Sequence, residues 1–100
     1  MVFKSLRINS IVLKNRVAIG PMCQYSSNNG KPSNWHYSHL QKLSQLGSGL
    51  LILESIFPSQ DSKISKKDLV LSNDIEKKEF IRLIKHIRKF SDVPLGFQIS

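Results

Sequence analysis

The run Leu50-Leu51-Ile52-Leu53, set between Gly49 and Glu54, is apolar at every position. A strand with one wet face alternates polar and apolar side chains, whereas a strand covered on both faces does not, so the run predicts a buried parallel strand. Parallel neighbours need crossover segments, and the flanking sequence supplies two. Upstream, Trp35, His39, Leu40, Leu43 and Leu46 fall at helical spacing and predict one face of a helix starting near Asn34. Ser33 or Asn34 is placed to cap its start, and Gly47 to end it in a left-handed conformation. Downstream, Asn73-Asp74-Ile75-Glu76 has the form of a helix start, with a capping side chain and an acidic residue three positions on. Phe80, Leu83, Ile84, Ile87 and Phe90 carry it on as an amphipathic helix of about four turns.

Further out, Val93-Pro94 stops this helix, and Leu95 to Ile99 predicts a third strand. Val17-Ala18-Ile19 predicts the first, ended by Gly20-Pro21. Before it, Leu6-Arg7-Ile8 and Ile11-Val12-Leu13 flank Asn9-Ser10 in a hairpin pattern. Two stretches read as loops: Ser26 to Ser33, rich in turn formers, and the long Lys- and Ser-rich segment from Ser55 to Ser72. The predicted order is a hairpin followed by β-α-β-α-β, an α/β fold with a parallel sheet, right-handed crossovers, no internal repeat and no linker. Three strands and two helices close a core poorly, so the 100 residues are expected to be the N-terminal part of a longer enzyme.

Composition narrows the classes. An apolar share of 40% and a charged share of 22% are ordinary globular usage and argue against general disorder. No apolar run approaches the ~18 residues of a membrane span, and the start MVFKSLRINS lacks the apolar core of a secretory signal. A single cysteine excludes an internal disulfide framework, so cytoplasmic residence is the expectation. The net charge is +8, from fifteen Lys and Arg against seven Asp and Glu. Such a balance suits nucleic acid or anionic lipid. Here, though, Lys63, Lys66, Lys67, Lys77, Lys78, Lys85 and Lys89 are interleaved with Asp68, Asp74, Glu76 and Glu79, the pattern of a solvated face. No RNA-binding aromatic motif, zinc-finger spacing or glycine-rich phosphate loop accompanies them, so neither nucleic acid nor membrane is an expected partner.

Ligands of parallel α/β folds bind beyond the carboxyl ends of the strands. That rule selects Gly20, Pro21, Met22, Cys23, Gln24 and Tyr25 after the first strand, Glu54 and Ser55 after the second, and Gln98 and Ser100 at the end of the third, all on one rim. Gly20-Pro21 lets the backbone turn and approach a flat ligand closely. Cys23 offers a polarisable thiol, or simply a small buried hydrophobe. Tyr25 offers a hydroxyl for a substrate oxygen, or an aromatic surface. Glu54 suits a general base, or a carboxylate that accepts backbone or side-chain donors. Gln98 offers a donor and an acceptor to a planar heterocycle, or an amide bridge between strands. His36 and His39 have a spacing that could share a metal, but no third ligand is near, so packing and hydrogen bonding are expected and a metal is not.

The order Leu13-Lys14-Asn15-Arg16-Val17, then Gly20-Pro21-Met22-Cys23-Gln24-Tyr25-Ser26, resembles the opening of the old yellow enzyme family of flavin oxidoreductases, closest to the bacterial branch with a cysteine in the flavin loop. Trp35-His36-Tyr37-Ser38-His39-Leu40, Gly49-Leu50 with Glu54, Lys63-Ile64-Ser65 with Asp68-Leu69, and Ser72-Asn73-Asp74 follow that family's order, so the resemblance spans nearly the whole chain. It implies the N-terminal part of a TIM (β/α)8 barrel, with the hairpin closing its bottom and FMN at the carboxyl ends of the strands. It implies FMN contacts at Gly20, Pro21, Met22 and Cys23, the thiol tuning the flavin's redox behaviour. It also implies a backbone contact at Ser55, a hydrogen bond from Gln98 to the flavin pyrimidine, and a substrate-carbonyl contact at Tyr25. Gly20 stands where serine or alanine is common and Ser55 where alanine is usual; all are small. The implied activity passes hydride from NAD(P)H through FMN to an activated alkene such as an α,β-unsaturated carbonyl compound. The partner is then an enone-type small molecule, with a homo-oligomer possible for the full-length enzyme. The family's phosphate-binding and remaining substrate-holding residues fall beyond Ser100, so this segment alone is expected to be inactive. The competing readings are a non-catalytic remnant of such an enzyme and a basic nucleic-acid module.

Overall fold

The computed structural model describes residues 1–100. Strands β1 (Leu6–Ile8) and β2 (Ile11–Leu13) form the N-terminal hairpin, and β3 (Ala18–Ile19), α1 (Asn34–Ser44), β4 (Leu50–Phe57), β5 (Leu69–Val70), α2 (Asp74–Arg88) and β6 (Leu95–Ile99) follow in that order. The hairpin is antiparallel with Leu6 opposite Leu13, and Asn9 takes the left-handed conformation (φ 52°) that turns it.

The leucine-rich run lies in β4, the centre of a parallel sheet. One edge of β4 pairs with β6 from Leu51 to Ile56. The other edge carries β3 beside Leu50 and Leu51, and β5 beside Ile56 and Phe57. Leu51 and Leu53, 0% and 1% exposed, pack with Leu40 of α1, Leu83 and Ile87 of α2, and Val93. Ile56, Leu69 and Phe80 make a second cluster further along the strand. Each such side chain taken out of water stabilises the fold by about 1.5–3 kcal/mol. Both helices cover the same face of the sheet. The opposite face is open: Ile52, Ser55 and Gly96 are half-buried there and Gln98 is exposed.

The structure departs from the sequence-based expectations in three places. First, the segment from Ser55 to Ser72 is not one long loop. Strand β4 runs on to Phe57, a 3₁₀ turn occupies Gln60–Ser62, and β5 follows. Two-residue strands are too short to show a period, and Ser55 hides the continuation of β4 by interrupting the apolar run. The remainder is tied down locally. Asp68 Oδ2 accepts the Ile64 and Ser65 N–H groups at 3.1 and 2.7 Å, and Ser27 Oγ donates to the Asp68 carbonyl at 2.9 Å.

Second, the buried stripe of α1 is shifted: Leu40 is in the core and Leu43 packs against it as the spacing predicts, but His36 and Ser44 are buried beside them. Trp35 and Leu46 are 53% and 69% exposed. At the first turn the buried place is taken by His36, whose Nε2 lies 3.0 Å from Glu54 Oε1 on β4. Third, α1 ends at Ser44, before Gly47; Gly47 does adopt φ 91°, but in the connection, where its carbonyl accepts Asn15 Nδ2 at 2.8 Å. The start of α2 follows its pattern. Asn73 Oδ1 caps it by accepting the Glu76 N–H at 2.9 Å. The Glu76 carboxylate turns to Ser72 instead, accepting its N–H at 2.8 Å and its hydroxyl at 2.7 Å. Burial pushes the Glu76 carboxyl up, but these bonds outweigh it and hold its pKa below the ordinary value.

Asn15 sets where β3 meets β4. The Gly49 N–H donates to the Val17 carbonyl at 2.8 Å, and the chains pass so closely that a Cβ on Gly49 would sit 2.2 Å from the Asn15 carbonyl oxygen. Gly49→Ala therefore forces the backbone apart and is expected to cost about 2–3 kcal/mol or more in urea denaturation. Gly20→Ala, which meets nothing within 4 Å, is expected to change stability by less than about 0.5 kcal/mol.

Candidate functional site

The register between β4 and β6 slips by one residue. Leu53 pairs with Phe97, yet Ser55 pairs with Gln98, which leaves Glu54 as an extra residue. Leu53 and Glu54 therefore both face the helices, Leu53 in the core and Glu54 bonded to α1. Phe97 lies on the helix side against Phe80, with ring centroids 6.0 Å apart. Ser55 and Gln98 then emerge side by side on the open face.

Glu54 thus lies inside a strand and not after its end, contrary to expectation, and it is buried. Of its two sequence-based readings the structure selects the acceptor. Its Oε1 lies 3.0 Å from His36 Nε2, and its Oε2 accepts the Gln24 backbone N–H at 3.3 Å. This last bond brings the Met22–Gln24 segment over β4 between the points where β3 and β5 pair with it. Beneath the segment, Gly20, Met22, Gln24, His39, Leu40 and Glu54 enclose a gap of about 10 Å³, room for about one water.

The first predicted group is thus tied to β4 through the Gln24 N–H on Glu54, the residue before Ser55. Gly20, Pro21 and Met22 are exposed and Cys23 is half-buried in the connecting segment. Tyr25 follows, exposed, with its backbone in the left-handed region (φ 51°). A tyrosine rarely adopts that conformation, and it swings the ring away from the core. Ser55 and Gln98 stand in adjacent strands at the same height. Gln98 is exposed and does not serve as a buried bridge between strands. Ser100 lies further along, its N–H donating to the Ile56 carbonyl at 3.1 Å. An apolar pocket of about 150 Å³ lined by Ile56, Phe57, Pro58, Leu71, Phe97 and Ile99 holds none of these residues.

Sequence reasoning missed the contribution of Trp35 and of the Gln24 side chain. Trp35 Nε1 donates to Gln24 Oε1 at 2.9 Å, and Gln24 Nε2 donates to the Met22 carbonyl at 2.9 Å. A turn-rich loop separates the two residues, so no periodicity signals the contact. Trp35 also stacks on His39, with centroids 5.6 Å apart and planes 14° from parallel. The histidines do not converge on a shared ligand. His36 is bonded through both ring nitrogens, to Ser33 and Glu54. No group of three or more potential metal ligands comes together.

The small residues Ser55 and Gly96 lie on the open face near the Gln98 amide, and an added Cβ at Gly20 would meet only open space. A planar heterocycle needing both a donor and an acceptor fits that surface, so the residues are compatible with a flavin ring. The family model described as NADH:flavin oxidoreductase / NADH oxidase matches residues 1–98. The chain belongs to this family. It is 39% identical over 74 residues to the NADPH dehydrogenase of Bacillus cytotoxicus, across 72% of this chain and 21% of that protein. It is 34% identical over 100 residues to the NADPH dehydrogenase of Listeria monocytogenes serotype 4a, across 98% of this chain and 29% of that protein. The chain thus spans less than a third of the length of these relatives. Among solved structures, morphinone reductase superposes with a TM-score of 0.85 at 16% identity, over 98% of this chain and 25% of that one. The old yellow enzyme homologue from Zymomonas mobilis gives 0.84 at 15% identity, over 98% and 27%. The fold is therefore that of part of an old yellow enzyme TIM barrel. No helix is long and apolar enough to cross a membrane.

Burial holds the His39 pKa below the ordinary histidine value; nearby Glu54 opposes this, and His36 and Lys42 reinforce it. Protons then bind the unfolded chain more tightly than the folded one, so stability falls as pH drops through about 6.5. Ring-proton NMR is expected to show His39 titrating below that value, and His39→Phe to flatten this part of the stability profile. A midpoint at or above the ordinary value contradicts the assignment.

Proposed function

We propose that residues 1–100 are the N-terminal segment of one FMN-binding barrel domain of a cytoplasmic oxidoreductase that uses NAD(P)H to reduce activated alkenes, α,β-unsaturated carbonyl compounds among them. The observation that carries this reading is the bulge-enforced pairing of Ser55 with Gln98 on the open face, next in sequence to the Glu54 that binds the Gln24 N–H. Family membership supports the cofactor class, since its description names a flavin and a nicotinamide donor.

Bound FMN supplies two-electron hydride chemistry between the nicotinamide and the alkene. The chain's own residues bind and orient. Gln98 presents an amide donor and acceptor to the edge of a flat ring. Gly20, Pro21 and Met22 pass the ring by backbone, and Ser55 does the same from β4. Cys23 contributes a polarisable sulfur near the ring without a covalent bond. Tyr25, held outward by its left-handed backbone, donates its hydroxyl to the substrate carbonyl oxygen and so orients the alkene. The segment by itself offers groups to the ring and one hydroxyl to the substrate, and we propose that it neither retains FMN tightly nor turns over. In the full-length enzyme a homo-oligomer is part of the same reading.

The test is a longer protein that contains this segment, purified with its flavin and assayed with NADPH and 2-cyclohexenone. Alkene-dependent NADPH oxidation supports the reading, and a colourless protein that binds no FMN overturns it. Stoichiometric FMN on the 100-residue chain would overturn the inactivity of the segment. In the loaded protein, Cys23→Ala is expected to shift the flavin potential while FMN stays bound. Tyr25→Phe removes one hydrogen bond worth about 0.5–1.5 kcal/mol and is expected to lower kcat/KM about 2- to 12-fold. Unchanged turnover removes Tyr25 from the site.

A further inference from the structure

Met22, Cys23 and Gln24 belong to no strand: β3 ends at Ile19, and β5 occupies the same edge of β4 only from Ile56. No backbone ladder holds this segment, and the Glu54 carboxylate stands in for one. Oε1 faces His36 Nε2 at 3.0 Å and Oε2 accepts the Gln24 N–H at 3.3 Å. His36 Nδ1 accepts the Ser33 N–H at 3.0 Å, so the network assigns the ring proton to Nε2, which donates it to Glu54. Glu54 is therefore anchored on α1 before it reaches the loop. Gln24 is held a second time through its side chain by Trp35.

A buried histidine–carboxylate pair is poor value as a purely structural device, because an apolar pair of similar volume often serves stability as well. What an apolar pair cannot do is fix a backbone N–H. We propose that Glu54, anchored by His36, is the positioning residue of this site: it sets where Cys23 and Tyr25 stand relative to Ser55 and Gln98. That those residues face a flavin and its substrate rests on the function proposed above; that Glu54 sets the loop does not.

The chain contains its own reporters, since Cys23 is its single cysteine and Trp35 its single tryptophan. Releasing a charge-assisted hydrogen bond shifts the loop by about tenfold or more. Glu54→Ala is therefore expected to raise the rate of Cys23 alkylation by iodoacetamide about tenfold and to shift Trp35 emission to the red. Glu54→Gln keeps an oxygen for one of the two donors, preserves volume, and is expected to lie between wild type and Glu54→Ala. Gln60→Ala, which breaks a bond to Glu76 at the start of α2, is expected to leave both reporters unmoved. A folded Glu54→Gln chain, judged by circular dichroism, whose alkylation rate stays within about twofold of wild type and whose emission is unshifted overturns the proposal. In the flavin-loaded longer protein, Glu54→Gln is expected to move the flavin potential in the same direction as Cys23→Ala. Reporters that move while the potential does not would sustain the positioning role and count against the proposed function.

Discussion

One extra residue in β4 governs the relation between the two faces of this sheet. Without the slip at Glu54, strict alternation would turn the carboxylate to the open face and Ser55 toward the helices. With it, the core leucines and the carboxylate share the helix side, and Ser55 comes level with Gln98. The bulge costs a ladder pairing. It returns a buried acceptor that joins α1, β4 and the segment after β3 through His36 and the Gln24 N–H.

The fold around that point is stabilised from one side. Leu51 and Leu53 bury against both helices, and Leu40, Leu83, Ile87 and Val93 complete the cluster. The other face of the sheet holds Ile52 and Gly96 half-exposed, beside Gln98. The chain spans less than a third of its relatives' length, and this is the face that the rest of a barrel would enclose. It carries small side chains and the planar Gln98 amide, on which the proposed flavin contact rests.

Polar groups specify the connections as firmly as apolar ones specify the core. Asn15 binds Gly47 and Val17, Asp68 gathers two N–H groups of its own loop, and Glu76 gathers Ser72 and Gln60 before α2. Each side chain satisfies backbone donors that a strand or helix would otherwise satisfy. Ser48 is the exception, its hydroxyl buried without a partner.

Much of the architecture was legible in the residues themselves. The hairpin around Asn9, the apolar run in β4, the Asn73 cap and the Phe80, Leu83 and Ile87 stripe of α2 each follow from local chemistry that a linear reading detects, although Phe90, expected on that stripe, lies past the end of the helix and is exposed. The nearness of Ser55 to Gln98 follows likewise, because parallel strand order brings those strand ends together. The burial of His36 in place of Trp35, the length of β4, the pairing of β5 and the hold of Trp35 on Gln24 were not legible. Each depends on a contact between residues distant in the chain, and periodicity records which residues are apolar, not which partner a buried polar group will find. Local pattern therefore determined the elements and their order, whereas the bulge, and with it the side to which Glu54 turns, was decided only when β4 and β6 paired and the carboxylate met His36.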